Sequence, residues 1–451
     1  MINLEKRARS LSVLVIAFIA GLAFLFSNLY VHSKEWISHP GNKNVYVDGV
    51  FTNAGSIFDA NGLALAATID GKRIFADNAD IRKATLHIVG DLDGFVSTGL
   101  QTTYRSELIG YSFIGGVHGE GKNIETTIDS KACVTALNAL GSRHGAVAVM
   151  NYKTGDILCS VSSPTFDPAN PPEVDKEVAK NQGLYVNRVF SGFMAPGSIF
   201  KLVTAAAAID NIDGVLDRSY TCKKGVEIGG ETLTCHTYHS KLNFKKALVQ
   251  SCNASFAQIA LELGKDTVKS YVDKNLGFDS YYYVNSIKLA SSKYPIAEAR
   301  DIDFGWSAIG QHHDMVNPLH YMTFVSAIAN NGVAEAPSVI SSIKSQEGIP
   351  SLFKKGSSKR MLSKDTANTL KEIMRSTVIE NYKETRFKGL ELCAKSGTAE
   401  IEKSDKPHSW FVGFMDRSDY PYAFVVVVEN GGAGVDAAAD VASTVLSSMV
   451  K

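Results

Sequence analysis

The chain lacks an excess of either charge: 46 Lys and Arg balance 46 Asp and Glu over 451 residues, for a formal charge of zero. No basic domain or Lys/Arg run of the size a phosphate backbone requires is present, which excludes nucleic acid as a partner. Cysteine is also scarce. Six in a chain of this length exclude a disulfide-built scaffold. There is no internal repeat and no low-complexity tract, which excludes solenoids and linker-dominated chains. Long hydrophobic runs are nearly absent too. "YAFVVVVEN" (residues 422–430) is far too short to span a bilayer as a helix, and its β-branched residues predict a buried strand.

The exception is "SLSVLVIAFIAGLAFLFSNLYV" (residues 10–31), which carries no charge over a length that spans a bilayer core. Lys6, Arg7 and Arg9 precede it, and cations at that end predict a cytoplasmic N-terminus with everything after about residue 32 outside. A cleaved signal peptide competes with this reading. It would have a shorter apolar region ending in small residues, whereas this run ends in Phe26, Ser27, Asn28, Leu29 and Tyr30. The expectation is a single-pass membrane anchor at residues 1–32.

The remaining length suggests two or three folded units. Residues 33–123 consist of short apolar segments broken by Gly, Asn and Asp. Within them "GSIFDANGLALAAT" (residues 55–68) reads as strand, Asn-Gly turn, strand. This is expected to be a β-rich pedestal. From 124 to 451 the texture differs. A helix start is marked by Asp129 and Ser130, two strands flank the Lys-Thr-Gly-Asp turn of residues 153–156, and a Pro-rich loop runs from Pro164 to Pro172. The middle is helical: one helix in "GSIFKLVTAAAAID", one or two in residues 244–264, another in residues 317–332. Three strands and a terminal helix follow. Early and late strands around a helical block predict an α+β domain whose antiparallel sheet is closed by both parts of the chain.

Cys222 and Cys235 bracket a segment with turn signals at Gly225, Gly229 and Gly230, so they could face each other across a hairpin and form a disulfide in an oxidising exterior. His236 and His239 lie nearby, but the four residues lack the paired spacing of a zinc finger. A turn, with or without a disulfide, is expected there and no metal site.

In "APGSIFKLVTAAAAI" (residues 195–209) a lysine sits in the most apolar part of a helix, three residues after a serine. Residues three apart share a helix face, so Lys201 can reach the hydroxyl of Ser198. A serine is a weak nucleophile until a neighbour takes its proton, and a lysine made neutral by burial and a second cation can do so. Pro196 and Gly197 put Ser198 at the helix start, where free N–H groups favour developing negative charge. Downstream, Ser251, Cys252 and Asn253 can present a hydroxyl and an amide to the same cleft. Cys252, between two inward residues, is expected to point into the helical core as a small hydrophobe. In Lys395–Thr398, Lys395 supplies the second cation and Gly397 lets a substrate backbone approach the strand.

The three motifs in this order resemble the S-x-x-K, S-D-N and K-T-G set of penicillin-binding proteins and class A β-lactamases. With the membrane anchor, with "GSIFDANGLALA", "TTID", "GAVAVMNYKTGDILCSVSSPTFDPAN" and "GQHHDMVNPLHYMTFVSAIANNG", the chain is similar to class B penicillin-binding proteins from about residue 55 to 430. The resemblance implies a penicillin-binding, serine β-lactamase-like transpeptidase domain (antiparallel sheet with a helical subdomain) behind a dimerisation-like pedestal. It implies a D,D-transpeptidase that cross-links peptidoglycan stem peptides and is acylated by β-lactams, needs no cofactor, and works at the membrane beside a glycan-polymerising partner.

Residue by residue, it implies that Ser198 is the acylated nucleophile and Lys201 the base, and that Ser251 relays a proton to the leaving amine. Asn253 would bind Lys201 and the substrate carbonyl; Lys395, Ser396 and Thr398 would hold the donor carboxylate; the N–H groups of Ser198 and Thr398 would form the oxyanion hole. Three positions depart from the family pattern, one of them Cys252 in the middle position of the second motif. Ala54 precedes Gly55 where arginine is usual, and His312 follows Gly310-Gln311 where glycine is usual, with His313 after it. A D,D-carboxypeptidase or serine β-lactamase is the alternative and would need a positioned deacylation base. An anchored β-lactam sensor would need a cytoplasmic output domain, and about nine residues precede the apolar run. Residues 33–123 leave no room for a glycosyltransferase domain.

Overall fold

Residues Ala423–Val428 are buried without interruption, so the strand Tyr422–Val428 must be covered on both faces. The computed structural model describes residues 2–37, 46–47, 50–51, 54–113, 116–117, 121–173, 183–400 and 406–450, and shows how that cover is built. The strand is central in a five-stranded antiparallel sheet ordered 157–163, 145–151, 422–428, 408–415, 392–399. Helices Ser130–Leu140 and Ala437–Met449 pack together on one side, and Pro318–Ala329 with Lys364–Thr377 on the other. Each of Val425 to Val428, fully buried, contributes about 1.5–3 kcal/mol of hydrophobic stabilisation. The sheet thus joins early and late parts of the chain, as the alternation of strand and helical blocks predicts.

Helix starts carry the expected caps. Asp129 accepts the N–H groups of Lys131 and Ala132 at 2.9 and 3.2 Å, and Asn317 accepts that of His320 at 3.0 Å with Pro318 in the first turn. A second five-stranded sheet, ordered 340–344, 123–126, 57–58, 64–69, 72–75, ties the N-terminal segment to the main domain. Its hairpin turns at Asn61-Gly62, as read from the sequence, with Gly62 at φ +81°. Helices Ala79–Val89, Leu100–Thr103 and Arg105–Leu108 follow, which the short broken segments do not foretell. Part of the segment 41–122 lies outside the described residues. Near Ala54, where the family arginine is missing, Arg73 donates to the Gly55 carbonyl at 2.7 Å and to Gln101 at 2.8 Å.

The N-terminal helix, Ile2–Ile37, leaves its apolar side chains exposed, and its stretch Leu4–Ser33 is long and apolar enough to cross a membrane. That is compatible with a single-pass anchor.

Candidate active site

The nucleophile segment is not one continuous α-helix. Gly197–Phe200 form a 3₁₀ turn, and the α-helix runs from Lys201 to Asn211. The turn is wedged against the strand Leu392–Ala399. A Cβ on Gly197, at φ +56°, would stand 2.3 Å from the Thr398 carbonyl oxygen. A Cβ on Gly397 would meet the Pro196 carbonyl at 2.8 Å and Ile199. The space beside Gly397 is filled by the nucleophile turn, so its missing side chain lets that turn pack onto the strand. The Trp410 indole donates to the Ala195 carbonyl at 2.9 Å, and the Tyr321 hydroxyl to that of Ile199 at 2.6 Å. Both clamps come from residues the sequence reading missed, for buried aromatics in a strand and a helix carry no site signal.

The second motif sits in a break between helices Phe244–Val249 and Asn253–Leu263. Ser251 takes φ +53°, a left-handed conformation uncommon for a side-chain-bearing residue, and this turns its hydroxyl toward the lysines. Lys201 Nζ lies 2.9 Å from Ser198 Oγ, 2.7 Å from both the Ser251 carbonyl and Asn253 Oδ1, and 3.2 Å from Ser251 Oγ. Lys395 donates to Ser251 Oγ at 2.9 Å and to the Ser396 carbonyl at 2.7 Å.

Both lysines are fully buried. Burial lowers Lys201 to about 7, and burial together with the nearby charge of Lys201 holds Lys395 well below the ordinary lysine range. The hydrogen-bond set fits a neutral Lys201. Its two N–H bonds satisfy the Ser251 carbonyl and Asn253 Oδ1, both acceptors only, and its lone pair is left facing the Ser198 hydroxyl. Among the described residues no carboxylate is hydrogen-bonded to Ser198, Lys201, Ser251 or Lys395.

On the strand, the Ser396 N–H donates to the Tyr382 hydroxyl at 2.9 Å, and the hydroxyls of Ser396 and Tyr382 share a hydrogen bond of 2.8 Å. Tyr382 lies just beyond the helix Lys364–Thr377, and no motif marks it in the sequence. The Thr398 hydroxyl accepts the N–H of Gly434 at 3.2 Å, and the Gln311 amide donates to the Thr398 carbonyl at 2.7 Å. Of the two histidines after Gln311, His313 is exposed and His312 half-buried, their ring centroids 4.2 Å apart. Ser198, Lys201, Ser251, Asn253 and Lys395 thus meet at one place, with Ser396 and Thr398 on the adjoining strand.

Cys252 points away from the cleft, as its place between two inward residues requires, and is fully buried in a small cluster with Cys222, Cys235 and Ala254, against which Val226 and Leu242 pack. Its sulfur lies 4.0 Å from that of Cys235, and Cys222, Cys235, His239 and Cys252 form one cluster behind the second motif. All six cysteines of the chain are free thiols, so the hairpin holds no Cys222–Cys235 disulfide. The sequence spacing of Cys222, Cys235 and the histidines omits Cys252, which the fold brings in to this cluster from the next helix.

Residues 145–447 match the family described as "Penicillin binding protein transpeptidase domain". The chain is 27% identical over 432 residues to the peptidoglycan D,D-transpeptidase PbpA of Mycolicibacterium smegmatis, covering 87% of each chain. It is 26% identical to PbpA of Mycobacterium tuberculosis over 94% of this chain and 93% of that one. Among solved structures it resembles the ceftriaxone acyl-enzyme of M. tuberculosis penicillin-binding protein A, with a TM-score of 0.77 at 24% identity over 89% of this chain and 99% of the other, which shows the fold. The D,D-transpeptidase domain of an Eggerthella lenta peptidoglycan glycosyltransferase matches with a TM-score of 0.76 at 26% identity, over 88% and 98%.

Proposed function

The chain belongs to the penicillin-binding protein transpeptidase family, and from that premise we propose that it is a serine-type peptidoglycan D,D-transpeptidase working through Ser198. The observation that carries the assignment is the buried Lys201 amine, 2.9 Å from the Ser198 hydroxyl and lowered to about 7, so that near neutral pH a large fraction can accept a proton.

In the first half-reaction Ser198 Oγ attacks the penultimate carbonyl of a donor stem peptide while its proton passes to Lys201 Nζ. Negative charge develops on the carbonyl oxygen, between the N–H groups of Ser198 and Thr398. Collapse breaks the peptide bond. The leaving D-alanine nitrogen takes its proton from Ser251 Oγ, which is resupplied from Lys201, 3.2 Å away. Lys395, Ser396 and Thr398 hold the donor's terminal carboxylate, and Asn253 orients Lys201 and the side of the scissile bond. In the second half-reaction an acceptor amine attacks the ester and Lys201 takes that proton. A β-lactam enters the same sequence, but its amine leaving group stays tethered and blocks the acceptor.

A hydrolase needs a base to activate water against the ester. The lack of any carboxylate bonded to the Ser-Lys-Ser-Lys set, among the described residues, favours transfer to an amine over the carboxypeptidase and β-lactamase readings. The apolar helix supports a place at the membrane, with residues 33–123 as pedestal and 124–451 as catalytic domain facing outward, beside a glycan-polymerising partner. The assignment is tested by labelling the full chain with fluorescent penicillin and mapping the adduct by mass spectrometry. A stoichiometric, long-lived adduct on Ser198 is expected. Rapid turnover of the drug would establish the hydrolase instead.

A further inference from the structure

Behind the second motif, four potential metal ligands converge from four places in the sequence. Cys222 ends the strand Ser219–Cys222, Cys235 follows the strand Glu231–Thr234, His239 precedes the strand Ser240–Asn243, and Cys252 caps the helix Asn253–Leu263. The three sulfurs and His239 Nδ1 all lie within 4.8 Å of one another. Nδ1 is 3.6 Å from the sulfurs of both Cys222 and Cys235, and the Cys235 and Cys252 sulfurs are 4.0 Å apart. A tetrahedral zinc ion, with Zn–S of about 2.3 Å and Zn–N of about 2.0–2.1 Å, sets sulfurs about 3.8 Å apart and nitrogen about 3.6 Å from sulfur. The three separations given above match edges of such a tetrahedron, and the other three are no longer than 4.8 Å.

The Cys252 sulfur accepts from the Ser255 N–H at 3.5 Å and from its hydroxyl at 3.2 Å. The three cysteines are buried and His239 is half-buried, so the pocket is shielded but reachable. A disulfide would pair two sulfurs and leave the third thiol and an inward-facing imidazole nitrogen without a purpose.

We propose that Cys222, Cys235, Cys252 and His239 bind one Zn²⁺ as a closed structural site that fixes the second catalytic motif. On binding, each thiol releases its proton to solvent, and three thiolates with one neutral imidazole complete the four-coordinate shell. No position is left for water or substrate, so the ion takes no part in bond making. Its effect is positional. Cys252 lies between Ser251 and Asn253, two of the groups that hold Lys201. The Asn253 amide also donates to the Thr234 carbonyl at 3.1 Å, one residue before Cys235. The metal would therefore lock the hairpin of residues 219–243 to the left-handed turn at Ser251. This coupling rests on the proposed catalytic roles of Ser251 and Asn253; the metal site itself does not.

The full-length chain, purified in detergent without chelators, should contain about one zinc per chain by elemental mass spectrometry. Exchange for Co²⁺ should give the intense visible bands of a tetrahedral thiolate ion. Against a competing chelator, H239N and C235S should each lose zinc at least about tenfold more readily than the parent, while C133S, at a buried cysteine outside the cluster, should keep it. Zinc at background in the parent chain even after incubation with Zn²⁺, or a disulfide between any two of Cys222, Cys235 and Cys252, overturns the site. If the variants do not accumulate, metal content and the cobalt spectrum of the parent decide it alone. Fluorescent penicillin labelling of the stripped chain should be slowed and restored by Zn²⁺. Zinc bound with unchanged labelling after stripping keeps the site and overturns the coupling.

Discussion

Lys201 and Lys395 meet at a single oxygen: their Nζ atoms stand 3.2 and 2.9 Å from the hydroxyl of Ser251. Two buried ammonium groups this close to one acceptor disfavour each other's charge, and each proton moved in the reaction changes that balance. In the proposed relay through Ser251, mutual repulsion would count as much as distance.

Removing the nucleophile or the base should separate chemistry from folding. Ser198→Ala should abolish penicillin labelling. Lys201→Arg keeps a cation that cannot accept a proton, so acylation should fall by about two to four orders of magnitude while circular dichroism still reports a folded chain. A variant that labels at near the parent rate would assign deprotonation of Ser198 to another group.

The pH dependence follows from the direction of the Lys201 shift. The reactive form is the neutral amine and its pKa is lowered to about 7, so the acylation rate constant should rise with pH up to about 7 and level off above it. Below that point it should drop about tenfold per unit, as the fraction of neutral lysine does. Stopped-flow acylation by a chromogenic cephalosporin checks this. A flat profile between pH 5 and pH 8, each an approximate bound of the range in which such a group titrates, would sink the neutral-lysine mechanism.

Tyr382→Phe removes the acceptor of the Ser396 N–H and the partner of its hydroxyl at a buried position. The unpaired N–H should cost about 1–3 kcal/mol in thermal or denaturant unfolding. Acylation should weaken mainly through poorer initial binding, because Ser396 is proposed to help hold the donor carboxylate. Equal losses in binding and in the chemical step would place Tyr382 nearer the reacting atoms.

Gly197→Ala forces a side chain into a left-handed backbone position and against the Thr398 carbonyl. Loss of both stability and labelling is expected, the latter because Ser198 must shift with the turn. A fully active, stable variant would show that the turn has more room than its packing indicates.

A chain starting at Lys34 should bind penicillin as the full chain does, since no group within reach of Ser198 comes from the apolar helix. In cells, its failure to support wall synthesis would reflect lost location. Full complementation by the unanchored form would contradict a need for the anchor.

The three motifs were legible in the sequence because their chemistry is local: Ser198 and Lys201 share a turn, and Ser251 and Asn253 flank a helix break. The strand texture of residues 392–428 and the cap at Asp129 were legible for the same reason. Tyr382, Trp410 and Tyr321 were not, since their roles arise only where distant elements pack. Gly397 was read as a point of close approach, and the turn of residues 197–200 packs closely there. The cysteine cluster was missed because three of its donors fall within eighteen residues, Cys222 to His239, while the fourth, Cys252, was already claimed by another motif.

The antiparallel pairing of Asn151 with Tyr422 has a consequence for biogenesis. A chain made from its N-terminus delivers the strand 145–151 long before its partner 422–428 emerges. Until then the strands 145–151 and 157–163 form a hairpin with an unpaired edge, open to pairing with other chains. Closure of the central sheet is thus a late event, and a chain truncated before residue 422 would lack the strand that joins its early and late parts.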